Sequence, residues 1–163
     1  MNYSVGKKGL ESHQPDLKSA LSELARARQI LLDFMVEDQA AYETLSALRK
    51  LPPDSPDRKS KMPAALLACI RVPEAVAATG VAILQRCDTL VDQVNVHLLS
   101  DLAVCADLSM AAIRCAIYNV RVNLSGIADP ELVRGFREDA DDISKRSAES
   151  LSTVRDSTRA LGL

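Results

Sequence analysis

Tryptophan is absent, and three tyrosines and two phenylalanines are the only aromatic residues among 163. Glycine and proline are also sparse, at six and seven. A β-sandwich or barrel needs many turn residues and aromatic strands, so these shortages argue against either. No glycine-rich turn follows a β-branched run, which disfavours an ordinary α/β nucleotide fold. Twenty basic residues against twenty-two acidic ones give a net charge of −2, which leaves no electrostatic footprint for a nucleic-acid backbone. The apolar run Pro63–Ile70 is far too short to span a bilayer, and no apolar stretch marks an export signal at the N-terminus. Neither nucleic acid nor a membrane is therefore an expected partner. Cys69, Cys87, Cys105 and Cys115 form no Cys-x-x-Cys pair and have no histidine at metal-ligand spacing, so no metal is expected. The thiols read as reduced, buried side chains of a cytoplasmic protein. His13 and His97 are isolated, which argues against a histidine-centred hydrolase.

What is present is helical. Hydrophobic residues make up 47% of the chain and charged ones 26%, enough for one helical domain over 1–163. Residues 1–15 read as a loop or helix remnant, and helical patterning covers 16–50, 57–90, 98–126 and 129–161. Pro73 is expected to kink the second of these or restart it, and the whole reads as an antiparallel bundle of about five helices. In the first segment Leu17, Leu21, Leu24, Arg28, Leu31, Met35, Asp38, Tyr42 and Leu45 share one face, with Asp16 as the expected N-cap. Leu132, Phe136, Ala140, Ile143, Ser147, Leu151, Val154, Thr158 and Leu161 do the same in the last.

Two places could carry chemistry. Asp38 interrupts a stripe where leucine would pack better. A carboxyl in an apolar setting has its charged form disfavoured, which suits general acid/base work near neutrality. The alternative is an aspartate at a cleft edge paired with an arginine such as Arg28 of a neighbouring chain. In the helix over 98–126, Asp101, Cys105, Ala112, Asn119 and Asn123 lie close to one face. Two asparagines four apart offer amides that donate and accept at once, for a flat ligand or for a tight helix–helix seam. Tyr42 stands one turn from Asp38 and suits the same cleft or the core. Lys7 and Lys8 could hold an anionic ligand tail or be simply solvated.

The stretches VGKK (5–8), LLDFMVEDQAAYETLSALRKLP (31–52), VPEAVA (72–77) and NVHLLSDLAVCADLSMAAIRCAIYNVRVNL (95–124) follow one another in a characteristic order. Together they resemble the cyclodeaminase/methenyltetrahydrofolate cyclohydrolase family, which includes the C-terminal domain of formiminotransferase-cyclodeaminase. The resemblance spans essentially the whole chain, without the family's usual N-terminal glycine-rich segment and first helix. It implies a helical bundle that forms a homodimer, with sites near the subunit interface. It also implies a tetrahydrofolate derivative as substrate, with no metal or redox cofactor. Asp38 falls on the family's catalytic aspartate. Lys7 falls in its Gly-Lys segment, and Asn95, Asp101, Asn119 and Asn123 match polar positions of the folate cleft. The implied reactions are ammonia loss from 5-formimino-tetrahydrofolate, giving 5,10-methenyl-tetrahydrofolate, and hydration of the methenyl form to 10-formyl-tetrahydrofolate. A catalytically degenerate dimerisation or scaffold protein is the alternative.

Overall fold

The computed structural model describes residues 3–159, and within them the chain is all-helical. Four α-helices follow one another: α1 (Gln14–Lys50), α2 (Pro56–Leu90), α3 (Leu99–Asn123) and α4 (Pro130–Arg159). Single 3-10 turns cover Glu11–His13, Val96–Leu98 and Leu124–Gly126. Residues 160 and 161, and with them Leu161 of the last stripe, lie outside the described residues.

The expected fifth helix is absent because α2 runs unbroken through both Pro63 and Pro73. A helical proline removes the N–H that would bond the carbonyl one turn back, which for Pro73 is that of Cys69. Asn123 of α3 replaces it, its Nδ2 donating to the Cys69 carbonyl at 3.1 Å. The helix therefore passes the proline without an orphaned acceptor. Helix starts also differ from expectation. α1 begins two residues before Asp16, with Pro15 in its first turn and no side-chain cap. Asp16 instead accepts a 2.7 Å hydrogen bond from Arg86 of α2, whose Nη2 also reaches the Asp16 carbonyl. Asn95 caps the 3-10 turn that leads into α3 by accepting from the His97 N–H, and α3 itself has no side-chain cap.

The helices pack antiparallel. Arg86–Asp16 ties the end of α2 to the start of α1, and Asp107–Arg155 and Arg121–Asp141 tie α3 to α4 in the same sense. The main core lies between α2, α3 and α4, where Val81, Leu84, Ile113, Ile117, Leu151 and Val154 are buried. Each such side chain contributes about 1.5–3 kcal/mol relative to exposure. Gly80 lets α2 and α3 approach closely, since a Cβ there would lie 2.7 Å from Ile113 Cγ1. α1 packs on α2 at its two ends. Leu17 and Ala20 meet Leu90 and Val94 at one, and Leu45 and Leu48 meet Leu66 and Cys69 at the other.

By length and composition alone, α2 and the stretch Val96–Gly126 are apolar enough to cross a membrane, their most apolar 18-residue stretches having mean hydropathies of 1.7 and 1.5. The charges that shorten their apolar runs do not outweigh their alanine, valine and leucine content. Much of that content builds the bundle core.

Candidate functional site

Along the middle of α1 the expected burial fails. Met35 and Tyr42 are 68% and 65% exposed, and Asp38 between them faces outward. The single chain therefore supplies no apolar burial for the Asp38 carboxyl. The buried residues of α1 lie near its two ends, so the face carrying Met35, Asp38 and Tyr42 stands away from the core.

Asp38 nonetheless stands at the edge of a built cleft. Leu31, Phe34, Met35 and Asp38 of α1 face Pro73 and Val76 of α2 and Ala112, Cys115, Ala116 and Asn119 of α3 across about 380 Å³. The lining is mostly apolar with a few polar groups, as in small-molecule sites. Alanines on α3 leave the space, because a larger side chain at 112 or 116 would fill it. One turn before Pro73 on α2 lies Cys69, buried against Leu45 and Leu48 of α1. Its thiol is pushed above its ordinary value, chiefly by burial and secondly by the charge of Asp38.

The two asparagines divide their work. Asn119 lines the cleft. Asn123 donates both to the Cys69 carbonyl and to the Asn119 carbonyl at 2.9 Å, so its amide hydrogens are committed to the α2–α3 seam. It reaches the cleft only indirectly, by holding the turn of α2 that ends on Pro73. Tyr42 is exposed one turn beyond Asp38 and is not part of the lining.

Lys7, Asn95 and Asp101 are placed elsewhere. Gly6 and Gly9, with φ of 74° and 89°, shape a turn that leaves Lys7 exposed. The Asn95 N–H donates to buried Ser4 Oγ at 3.0 Å, which fastens the N-terminal segment to the loop before α3. Asp101 is exposed in the first turn of α3. Eighteen helical residues separate Asp101 from Asn119, about 27 Å at 1.5 Å per residue. A single chain therefore presents two polar places, not one. Among the described residues, no three His, Cys, Asp or Glu side chains stand together as a metal-binding group.

Sequence reasoning missed Phe34, Cys115, Val76 and Ala116 as cleft residues. Their one available signal was position: Val76 belongs to the VPEAVA segment, and Cys115 and Ala116 to the long 95–124 stretch.

Comparison with known proteins converges on one group. A family model described as formiminotransferase-cyclodeaminase matches residues 1–142. A methenyltetrahydrofolate cyclohydrolase from Methylorubrum extorquens is 26% identical over 142 residues, covering 85% of this chain. The chain spans 66% of that relative's length. The crystal structure of a formiminotetrahydrofolate cyclodeaminase from Thermotoga maritima has the same fold, with a TM-score of 0.90 at 23% identity. That likeness covers 99% of this chain and 79% of the other.

Proposed function

Because the chain belongs to the formiminotransferase-cyclodeaminase family, we propose that it is an enzyme of folate one-carbon metabolism working in the α1–α2–α3 cleft. The observation that carries this reading is the pairing of one carboxylate, Asp38, with one amide, Asn119, on the rim of a largely apolar space. A flat pterin ring suits such a lining, and the two polar groups suit a carbon bonded to nitrogen.

Both candidate reactions pass through a tetrahedral carbon. In cyclodeamination, N10 adds to the formimino carbon and loses its proton, and the former imino nitrogen gains protons and departs as ammonia. In hydration, water adds to the methenyl carbon and loses a proton, then the bond to N5 breaks as N5 is protonated. Asp38 takes the proton from the attacking atom and returns one to the departing nitrogen. Asn119 orients the pterin by donating and accepting with its amide. Tyr42, exposed beside Asp38, closes over the bound ring. Asn123 acts from behind by fixing the turn at Pro73.

The working unit in this reading is a homodimer. Val104, Leu108, Tyr118 and Val122 form an exposed heptad-spaced seam along α3, and Leu32, Met35 and Val36 stand bare on α1. Covering this face with a second copy would exclude water from the Asp38 carboxyl. An isologous pairing would also carry the second copy's Lys7–Asn95–Asp101 end toward this cleft, to meet the remainder of the folate.

The test follows the absorbance of 5,10-methenyl-tetrahydrofolate with and without protein, and ammonia release from the 5-formimino form. Wild-type protein is expected to accelerate one or both reactions. Asp38→Asn is expected to reduce the rate by about 10²-fold or more with helicity unchanged. Rates equal to buffer, with no folate binding by calorimetry, would favour a catalytically silent dimerisation module that uses the same bare face.

A further inference from the structure

Two of the four cysteines are brought together by the register of α2 against α3. Asn123 of α3 bonds the carbonyl of Cys69 on α2, which fixes one point of that antiparallel pairing. Gly80 against Ile113 and the Ser109 carbonyl fixes a second, in step with the first. Eighteen residues on from Cys69 along α2 is Cys87, and eighteen residues back from Asn123 along α3 is Cys105. Eighteen residues are five full helical turns, so both steps return to the same facing surfaces. Cys87 is accordingly buried in the α2–α3–α4 core, with half-buried Cys105 packed against the same cluster. The two thiols stand close enough to shift one another's protonation, Cys87 upward and Cys105 downward. Ala106 beside Cys105, and Gly80 two turns before Cys87, are small side chains on the facing surfaces that favour the close backbone approach a disulfide requires.

We propose that Cys87 and Cys105 are an oxidation site, a dithiol that a peroxide converts into an interhelical disulfide. The Cys105 thiolate attacks one oxygen of hydrogen peroxide, the O–O bond breaks, and the departing hydroxide takes a proton to leave as water. The sulfur becomes a sulfenic acid. The Cys87 sulfur then attacks that sulfur, its proton and the hydroxyl group leave as a second water, and the S–S bond forms. Two thiols are oxidised and one peroxide is reduced to two waters. The division of labour follows from burial. Cys105 is the half-buried partner, reachable from solvent, and its pairing with Cys87 holds its thiol below the ordinary value. Cys87 is 1% exposed and held above its ordinary value by the same pairing and by burial, so it serves to resolve the sulfenic acid. The cross-link would tie α2 to α3 two helical turns from Ala112 of the cleft, and make the connecting loop a closed ring.

The experiment exposes wild-type protein to near-stoichiometric hydrogen peroxide, alkylates the remaining thiols, and maps peptides by mass spectrometry. The expected result is a Cys87–Cys105 cross-linked peptide lighter by two hydrogens, reversed by dithiothreitol, with Cys69 and Cys115 still alkylated. The oxidised form should melt higher than the reduced form, and the gain should vanish in Cys105→Ser. Alkylation of Cys87 and Cys105 after peroxide treatment, with oxidation confined to exposed Cys115 or to disulfides between chains, would overturn the proposal. Because the wild-type map alone decides the pairing, a poorly folding variant does not blunt the test.

Discussion

Helices α4 and α1 carry apolar stripes of the same heptad spacing, yet one is covered by its own chain and the other is bare. On α4, Phe136, Ala140, Ser147, Leu151, Val154 and Thr158 are all buried. On α1 only the ends are buried, and the stretch through Met35, Asp38 and Tyr42 faces solvent. The difference lies in what stands opposite. α4 lies against both α2 and α3 and fills the groove between them, whereas α1 leans chiefly on α2 and reaches α3 at Leu99 and Leu102. A stripe therefore says that a face will be covered, but not whether the cover belongs to the same chain. The bare stripe of α1 and the bare seam of α3 flank the cleft, which is where we place the second copy.

The largest expected effect tests the covered stripe. Phe136→Ala should lower stability by about 3–5 kcal/mol in urea unfolding, since it empties a buried site that also supports the Arg71 guanidinium 4.6 Å from its ring centre. Met35→Asp on the bare stripe should leave the chain's helicity and unfolding midpoint at low concentration almost unchanged. It should weaken self-association by about tenfold or more in sedimentation velocity, because it puts an unpaired charge into the interface. If Met35→Asp unfolded the chain as Phe136→Ala does, the contrast between the two helices would be broken.

The prolines of α2 sharpen the comparison. Asn123→Ala should cost about 1–3 kcal/mol, because it leaves the Cys69 carbonyl unpaired behind the cleft. Restoring the missing N–H with Pro73→Ala should remove most of that cost, so a double-mutant cycle reads the coupling directly. Gly135→Ala on α4 should stabilise by about 0.4–1 kcal/mol, as a Cβ there meets nothing within 4 Å.

The smallest effect concerns pH. The Arg86 hydrogen bond holds the Asp16 carboxyl below its ordinary value. Its contribution is therefore complete above the unfolded-state pKa, roughly 3.9, and fades as pH falls through the lower folded value. Asp16→Asn should flatten that part of the acid limb in melting experiments.

Much of this was legible in the sequence, for reasons particular to each element. The stripe of α4 predicted Phe136, Ala140, Ser147, Leu151, Val154 and Thr158 as buried, because their cover is supplied by the same chain. Leu132 at its start is exposed and Ile143 is half-buried. The expected end of the first segment at 50 and start of the last at 129 hold to within a residue, because Pro52, Pro53 and Pro130 act on their own backbone neighbours. Pro73 was misread for the complementary reason. Its missing hydrogen bond is repaired by an asparagine fifty residues away, a contact that no local pattern carries. Asp38 was recognised as out of place, but the stripe pointed to burial that one chain does not provide. Asn119 and Asn123 looked equivalent by spacing, and only packing separates a cleft residue from a seam residue. Asn95 and Asp101 share one stretch with Asn119, yet the fold sets them, with Lys7, toward one end of the bundle and away from the cleft.

The measurement that tests the central claim most directly is the rate of 5,10-methenyl-tetrahydrofolate loss per chain across a protein dilution series, for wild type, Asp38→Asn and Met35→Asp. The account predicts wild-type turnover that rises over the concentration range in which the dimer forms. It predicts a loss of about 10²-fold or more in Asp38→Asn at every concentration. It also predicts that the Met35→Asp curve moves to higher concentration. Turnover unaffected by Asp38→Asn, or no turnover by the wild-type dimer, would contradict it.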